Sequence, residues 1–258
     1  RAFRWQNGVM QDLGTLGGYS SFAFDVSADG SVVVGRTVNA AWQLRAFRWQ
    51  NGVMQDLGTL GGSESAAYGV SADGSVVVGG VENAARQRRA FRWTAAGGMQ
   101  DLGMLGGIES EARDVSADGS VVVGVSSGRA FRWTQVTGMQ DLGTLSGYGS
   151  KALGVSADGS VVVGAARNAA GQLRAFRWTP DGGMEDLNQT YASLQMDGSA
   201  LWWATAISPD ERYIVGYGYN AATRREEAFL LDTVPEPASL MALGVGLAGL
   251  LGLRRRKQ

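Results

Sequence analysis

The sequence predicts an all-β protein assembled from stacked, four-stranded units. Three observations carry that expectation. Arg-Ala-Phe-Arg-Trp recurs at Arg1, Arg45, Arg89, Arg129 and Arg174, in steps of 44, 44, 40 and 45 residues. Each unit repeats the same succession of short apolar runs separated by Gly, Ser and Asp. No stretch of the body keeps a helical period of apolar residues.

The elements follow in order within one unit. Ala46-Phe47-Arg48-Trp49 alternates, so a strand places Phe47 and Trp49 on one face and Ala46 and Arg48 on the other. Gly52 to Gly58 forms a second short strand ending in Asp56-Leu57-Gly58, and Leu60 to Ser65 is a Gly/Ser bend. Ala67 to Val70 runs into Ser71-Ala72-Asp73-Gly74, then Val76-Val77-Val78-Gly79. Asp73-Gly74 between two apolar runs is a hairpin signal, because glycine accepts positive φ. Three consecutive valines are apolar on both faces, as suits a strand covered on both sides.

Four short strands in about 44 residues match one propeller blade in length and strand count. One such sheet cannot bury both faces, so blades must stack. The expected architecture is a β-propeller of about five four-stranded repeats over residues 1–232, with units starting near 1, 45, 89, 129 and 174. The degenerate copy Ala228-Phe229-Leu230-Leu231 is expected to pair with the first unit and close the ring. A β-solenoid is the alternative, and the antiparallel Asp-Gly turns count against it. The chain opens Arg1-Ala2-Phe3, with no Met and no apolar leader, and reads as a fragment or a processed form.

The C-terminus has a different character. Residues 233–237 form a linker containing Pro235, Glu236 and Pro237. Residues 238–253 are apolar, and 254–258 hold Arg254, Arg255, Arg256 and Lys257. As a helix the 16-residue apolar run reaches about 24 Å against roughly 30 Å of hydrocarbon, short for a permanent span. Thinning of the bilayer and snorkelling of Arg254 close that gap. The basic end favours the cytoplasmic side, which puts the body across the membrane. The two prolines keep the entry extended, open to a processing enzyme. Gly244-x-Gly246-x-x-Gly249 spells a dinucleotide fingerprint, but no strand precedes it and no βαβ unit surrounds it.

This tail resembles the PEP-CTERM sorting signal of Gram-negative bacteria, with Pro235, Glu236 and Pro237 matching its motif. The resemblance implies an exosortase-type transpeptidase as partner, cleavage at the motif, transient anchoring by the helix, and delivery to the cell surface or an exopolysaccharide matrix. An ordinary C-terminal anchor is the alternative. The body resembles HAF-type extracellular repeats through Ala46, Phe47, Trp49, Asp56, Leu57, Gly58, Leu60, Gly61 and Gly62. Arginine replaces that family's leading histidine in every unit. Ser208-Pro209-Asp210 with Tyr213 to Gly216 looks like the turn and strand of other propeller repeats.

Composition excludes much chemistry. The chain has no Cys and no His. That rules out a thiol nucleophile, a Ser-His-Asp triad, a Cys/His zinc site and disulfides. Lys plus Arg is 23 and Asp plus Glu 24, a formal charge of −1, and loss of the tail removes four positive charges and no acid. A mildly acidic body speaks against nucleic acid as a partner. No cofactor or metal is expected.

Candidate sites divide into repeated and irregular positions. Arg4, Arg48, Arg92, Arg132 and Arg177 recur with Asp12, Asp56, Asp101, Asp141 and Asp186. They are expected as a structural Arg–Asp ladder, the alternative being a charged ring that binds a ligand or Ca²⁺. Trp5, Trp49, Trp93, Trp133 and Trp178 are expected in the core between blades rather than as sugar platforms. The fifth unit carries an insertion, Asn188 to Ala204, where Tyr191, Asp197, Trp202 and Trp203 are the candidate ligand-binding residues for a saccharide edge. Sealing of the last blade is the competing role for this loop. Trp42, in a polar linker, is a smaller anomaly of the same kind. Glu64, Glu82, Glu109 and Glu111 lie in variable stretches read as exposed loops, and none stands out as one of the paired carboxylates of glycoside chemistry, so no catalytic residue is named.

The resulting expectation is a non-enzymatic, exported surface or matrix scaffold that contacts polysaccharide or other proteins. A polysaccharide-active propeller enzyme and a membrane-anchored interaction module are the alternatives.

Overall fold

The structure is a computed structural model that describes residues 1–146, 149–194 and 198–234. The Pro235-Glu236-Pro237 motif, the apolar stretch 238–253, Arg254 to Lys257, and Asp197 lie outside the described residues. Among the described residues, no helix is long and apolar enough to cross a membrane.

The body is all-β, with six antiparallel sheets among the described residues. Four are four-stranded: β3 (Gly17–Val26) to β6 (Val53–Asp56), β7 (Gly61–Val70) to β10 (Gly98–Asp101), β11 (Ser110–Val115) to β14 (Gly138–Asp141), and β15 (Ser150–Val155) to β18 (Gly183–Asp186). Ahead of them stands the hairpin β1 (Phe3–Gln6) and β2 (Val9–Asp12). Behind them come three strands, β19 (Ala200–Ile207), β20 (Tyr213–Asn220) and β21 (Arg225–Asp232).

The strand types follow the sequence, but the grouping differs from the expectation of five four-stranded units. Each complete sheet begins in mid-unit, at the Ala-x-x-Val strand. Arg-Ala-Phe-Arg-Trp is therefore a third strand, not a first. The hairpin supplies only third and fourth strands, and the last sheet only first to third. The expected ring-closing pairing is not formed: β21 pairs with β20, and β1 with β2. Strand content alone could not reveal this phase, because every cyclic permutation of four strands has the same repeat length.

The sheets pack face to face on their sequence neighbours. In the first full interface, Val32, Val34, Ala46 and Leu57 of one sheet meet Ala67, Val70, Val77, Val81, Phe91 and Trp93 of the next. The same set of positions recurs in the following interfaces, and the hairpin's Ala2 and Leu13 meet Val33, Phe47 and Trp49. Adjacent valines thus serve opposite interfaces: Val77 packs backwards, Val76 and Val78 forwards. Phe47, Phe91, Phe131 and Phe176 are fully buried. Trp49, Trp93 and Trp133 lie in the core between sheets, as expected, and Trp178 packs partly buried against it, but Trp5, on the hairpin with no sheet before it, is exposed.

The first strands of successive sheets touch one another. The turns that follow them are joined by Ala28 N to Ala72 O, Ala72 N to Ala117 O and Ala117 N to Ala157 O, at 2.9–3.0 Å. Fourth strands β6, β10 and β14 stay largely exposed. First strands therefore form the inner edge of the array and fourth strands the outer edge. Each turn is locked by its aspartate. Asp73 accepts from Ser71 Oγ at 2.7 Å and from Ser75 N at 2.9 Å. These bonds hold its carboxyl down at about 2, the first of them contributing most.

A second-strand glycine is obligatory in each of the five larger sheets. An added Cβ on Gly35, Gly79, Gly124, Gly164 or Gly216 would sit 1.8–2.1 Å from the carbonyl oxygen of Phe22, Ala66, Glu111, Lys151 or Trp203, and against a third-strand Phe ring. Gly124→Ala should cost about 1–3 kcal/mol or more through overpacking. Gly138→Ala, with open space but φ of +64°, should cost about 1 kcal/mol. Urea unfolding of both variants checks the order, and equal losses would contradict it.

Candidate functional site

The inner edge is where the repeats stop repeating. Every first strand shifts register beside the same alanine, between Ala23 and Asp25, Ala67 and Gly69, Ala112 and Asp114, Ala152 and Gly154, and Ala204 and Ala206. The extra residue of each bulge is Phe24, Tyr68, Arg113, Leu153 or Thr205. The residue before the alanine is Phe22, Ala66, Glu111, Lys151 or Trp203. A bulge re-aims side chains and breaks the pairing locally, and the second-strand glycine leaves room for the carbonyl of the residue before the alanine. The repeated motifs therefore build a scaffold whose variable residues share one rim.

These residues engage one another across sheets. Arg36 lies 5.3 Å from the Phe22 ring and 5.7 Å from Phe24. The Phe24 and Tyr68 rings are 5.6 Å apart, and Arg113 lies 5.0 Å from the Tyr68 ring. Glu111 is held by both Arg88 and Arg113, with Arg88 Nε donating at 2.9 Å. Arg88 also donates to the Tyr68 hydroxyl at 2.8 Å. Burial first, then the Glu111 carboxylate, pushes the Tyr68 hydroxyl up. Further along, the Lys151 ammonium lies 6.0 Å from the Trp203 ring. Glu111 thus stands on an inner strand with two arginines, not in an exposed loop. Glu82 also lies on a strand, β8 (Val76–Asn83), and accepts from Ser63.

Two acids mark the same rim. Asp25 accepts from Val70 N at 2.8 Å and Asp114 from Val155 N at 2.9 Å, each bridging to the next sheet. Burial pushes both carboxyls up, Asp114 to about 6, against the opposing effect of the amides of Val155 and Val115. The alternating sheets carry Gly69 and Gly154 at this position, where an added Cβ would meet the next inner strand at 3.1–3.2 Å.

The candidate residues of the insertion divide. Leu187, in the short helix α1 (Leu187–Thr190), is fully buried, and Tyr191 packs beside it in the last interface. Asn188 clamps β19 through Leu201, accepting at 2.7 Å and donating at 2.9 Å. Trp202 stacks on Tyr219 and Trp203 on Tyr217, both with centroids 6.2 Å apart. A register shift between Leu201 and Trp203 lets two consecutive tryptophans meet tyrosines of one strand face. Trp203 meets Lys151, a residue the sequence reading did not single out. Superposing the units would have exposed this row, since the positions flanking the invariant alanine differ in all five copies. Trp42 is exposed, with its ring 5.2 Å from Tyr19.

The charged ladder exists with a different arginine. The first arginine of each motif pairs with the fourth-strand aspartate of its own sheet: Arg1–Asp12, Arg45–Asp56, Arg89–Asp101, Arg129–Asp141 and Arg174–Asp186, at 2.8–3.7 Å. The second reaches forward instead. Arg48, Arg92 and Arg132 donate to the carbonyls of Gly74, Gly119 and Gly159 in the next sheet's turn, at 3.0–3.2 Å. No group of three or more acidic side chains among the described residues is arranged to hold a metal ion.

Residues 233–257 match the family model described as the PEP-CTERM protein-sorting motif. The tail is a PEP-CTERM sorting signal. It marks the chain for export and surface sorting, and exosortase is the enzyme that recognises it. No curated protein matches the chain. Among solved structures, the chain is similar to TolB from Acinetobacter baumannii, with a TM-score of 0.57, 14% identity, and coverage of 83% of this chain and 52% of that one. It is also similar to hydrazine synthase of Kuenenia stuttgartiensis, with a TM-score of 0.52, 14% identity, and coverage of 90% and 67%. A third similarity is to dipeptidyl peptidase 4 of Porphyromonas gingivalis, with a TM-score of 0.52, 10% identity, and coverage of 83% and 38%. The chain thus spans about half the length of the TolB it matches. At such identities the likeness is one of fold: the sheets resemble those of TolB-like propellers.

Asp114 supplies a pH test. Below about pH 4 its carboxyl is protonated both folded and unfolded. Between about 4 and 6 the unfolded chain ionises first, so folding loses stability as pH rises, and above about 6 the loss is constant. The thermal midpoint of the wild type should fall relative to that of Asp114→Asn across this window and run parallel above it. A difference independent of pH from 4 to 8 would contradict the assignment.

Proposed function

We propose that the chain is an exported surface or matrix protein whose repeat body is a non-enzymatic binding scaffold, presenting its inner rim to polysaccharide or to other surface proteins. The observation that carries this reading is the split between repeated and variable positions. Identical residues build the sheets, whereas Phe22, Glu111, Lys151 and Trp203 differ from copy to copy at one register position and line one edge. A sorting signal on the same chain supplies the route to the surface. Aromatic rings beside cations suit sugar faces and anionic groups. A sequence without Cys and His offers no thiol nucleophile and no histidine-activated serine.

Two measurements test it. Intact mass of the surface-exposed protein should lack Arg254 to Lys257. Replacing Pro235, Glu236 and Pro237 by alanine should leave the tail attached and reduce surface delivery. A surface product that keeps its tail would favour a membrane-anchored module. A glycan-binding screen paired with a hydrolysis assay should show binding without turnover, and turnover abolished by Asp197→Asn would overturn the scaffold reading.

A further inference from the structure

We propose that the hollow between Lys151 and Trp203 is a binding site for carboxylated saccharides, a uronic-acid unit being the natural fit. The proposal rests on the reading of the body as a saccharide-contacting scaffold and gives that reading a site and a ligand class.

Lys151 and Trp203 are 52 residues apart in sequence, yet they occupy the same register position of adjacent inner strands. Lys151 lies opposite Ala165 and Trp203 opposite Tyr217, each one step before the alanine that faces the second-strand glycine. Stacking of the sheets therefore sets an ammonium beside an indole. Between them opens a hollow of about 350 Å³, whose lining includes Gly128, Ala166, Arg167 and Leu173 as well as these two residues. That volume falls in the range of small-molecule sites. A second hollow of about 300 Å³ adjoins it through Gly128 and Lys151 and carries Arg88, Arg113, Glu109 and Glu111. The rim thus offers room for more than one sugar ring in a row.

The charge pattern selects the ligand. The first hollow is lined by Lys151 and Arg167 and by no acid. Neither cation has a carboxylate within 4.0 Å among the described residues. Arg167 gives one N–H to Gly171 O at 2.6 Å, a backbone contact that steadies the guanidinium without neutralising it. In the second hollow Glu111 is already taken by Arg88 and Arg113, whereas Glu109 has no ion-pair partner among the described residues, so the carboxylate is assigned to the first hollow. Lys151 and Arg167 thus present two cations without a carboxylate partner beside an aromatic wall. Two cations can answer a carboxylate by charge-assisted hydrogen bonds. Trp203 and Leu173, both half-buried, offer apolar surface that a sugar ring covers and inorganic phosphate does not.

The test is calorimetric titration of the full chain with tetragalacturonate and with the neutral tetrasaccharide made by reducing its carboxyl groups. Tetragalacturonate should bind, more weakly at high salt, and the neutral sugar should bind at least about tenfold more weakly. Lys151→Gln should cost about tenfold in affinity with an unchanged thermal midpoint, since the side chain is exposed. Trp203→Ala should also weaken binding, but it disturbs a stacked strand pair, so Lys151→Gln decides. Equal binding of both sugars would overturn the proposal. Binding of tetragalacturonate that Lys151→Gln leaves untouched would overturn this site while sparing the scaffold reading. Binding of neither sugar would overturn the site, leave export and processing standing, and return the scaffold's ligand to the wider glycan screen.

Discussion

Burial of the second strand on both of its faces is the constraint on which this fold depends. Val76, Val77 and Val78 are at most 3% exposed because each neighbour sheet covers one face. A sheet with such a strand has no stable existence alone, and stability in such an array is a sum over nearest-neighbour interfaces. The ends of the array show what the interface contributes. Val70, Val115 and Val155 are buried at 6–7% exposure, but Val26, at the same position of the first full sheet, is 51% exposed. Val34, Val78, Val123 and Val163 are fully buried, but Val215 in the last sheet is 40% exposed. The Asp-Gly turns repeat the pattern: Gly74, Gly119 and Gly159 lie against Val32, Val76 and Val121 of the preceding sheet, whereas Gly30 has open space.

The same packing makes the inner rim usable. A second-strand glycine admits the first-strand carbonyl two residues before the bulge, and the third-strand phenylalanine covers that glycine. This resembles the use of aromatic residues to rescue glycines in sheets. With backbone shape set by glycine, alanine and phenylalanine, the residues around the bulge are free to vary without cost to the core. Phe24, Tyr68, Arg113, Leu153 and Thr205 differ in size and charge, yet the turns beside all five keep the same Ser-x-Asp lock. Structural and recognition roles are thereby separated residue by residue along one strand.

Much of the scaffold was legible in the chain. Alternation in Ala-Phe-Arg-Trp gave the correct faces, the triple valine the doubly covered strand, and Asp-Gly the hairpin. Phase was not legible, because a repeat that cycles through four strands carries no mark of where a sheet begins. The arginine partners were misassigned for a related reason. Arg45 and Arg48 sit three apart on one strand and so point to opposite faces, and only the sheet order shows that the first meets Asp56 and the second the next sheet's turn. The rim was not legible, because its mark is variation among the copies rather than repetition. The insertion drew notice to Trp203, but its neighbour Lys151 is brought close by register, a relation visible only once the units are superposed. The sorting signal, by contrast, was readable directly, since a short linear motif needs no fold to be recognised.

If the sheets stand only by leaning on one another, protection of backbone amides should follow position in the array. Native-state hydrogen exchange resolved by segment reads this directly. The account predicts the slowest exchange in β8, β12 (Val121–Ser126) and β16 (Val162–Arg167), all three sharing one opening free energy, with β1, β2 and β21 exchanging markedly faster. Sheets that exchange independently of one another, or terminal strands as protected as β12, would contradict it.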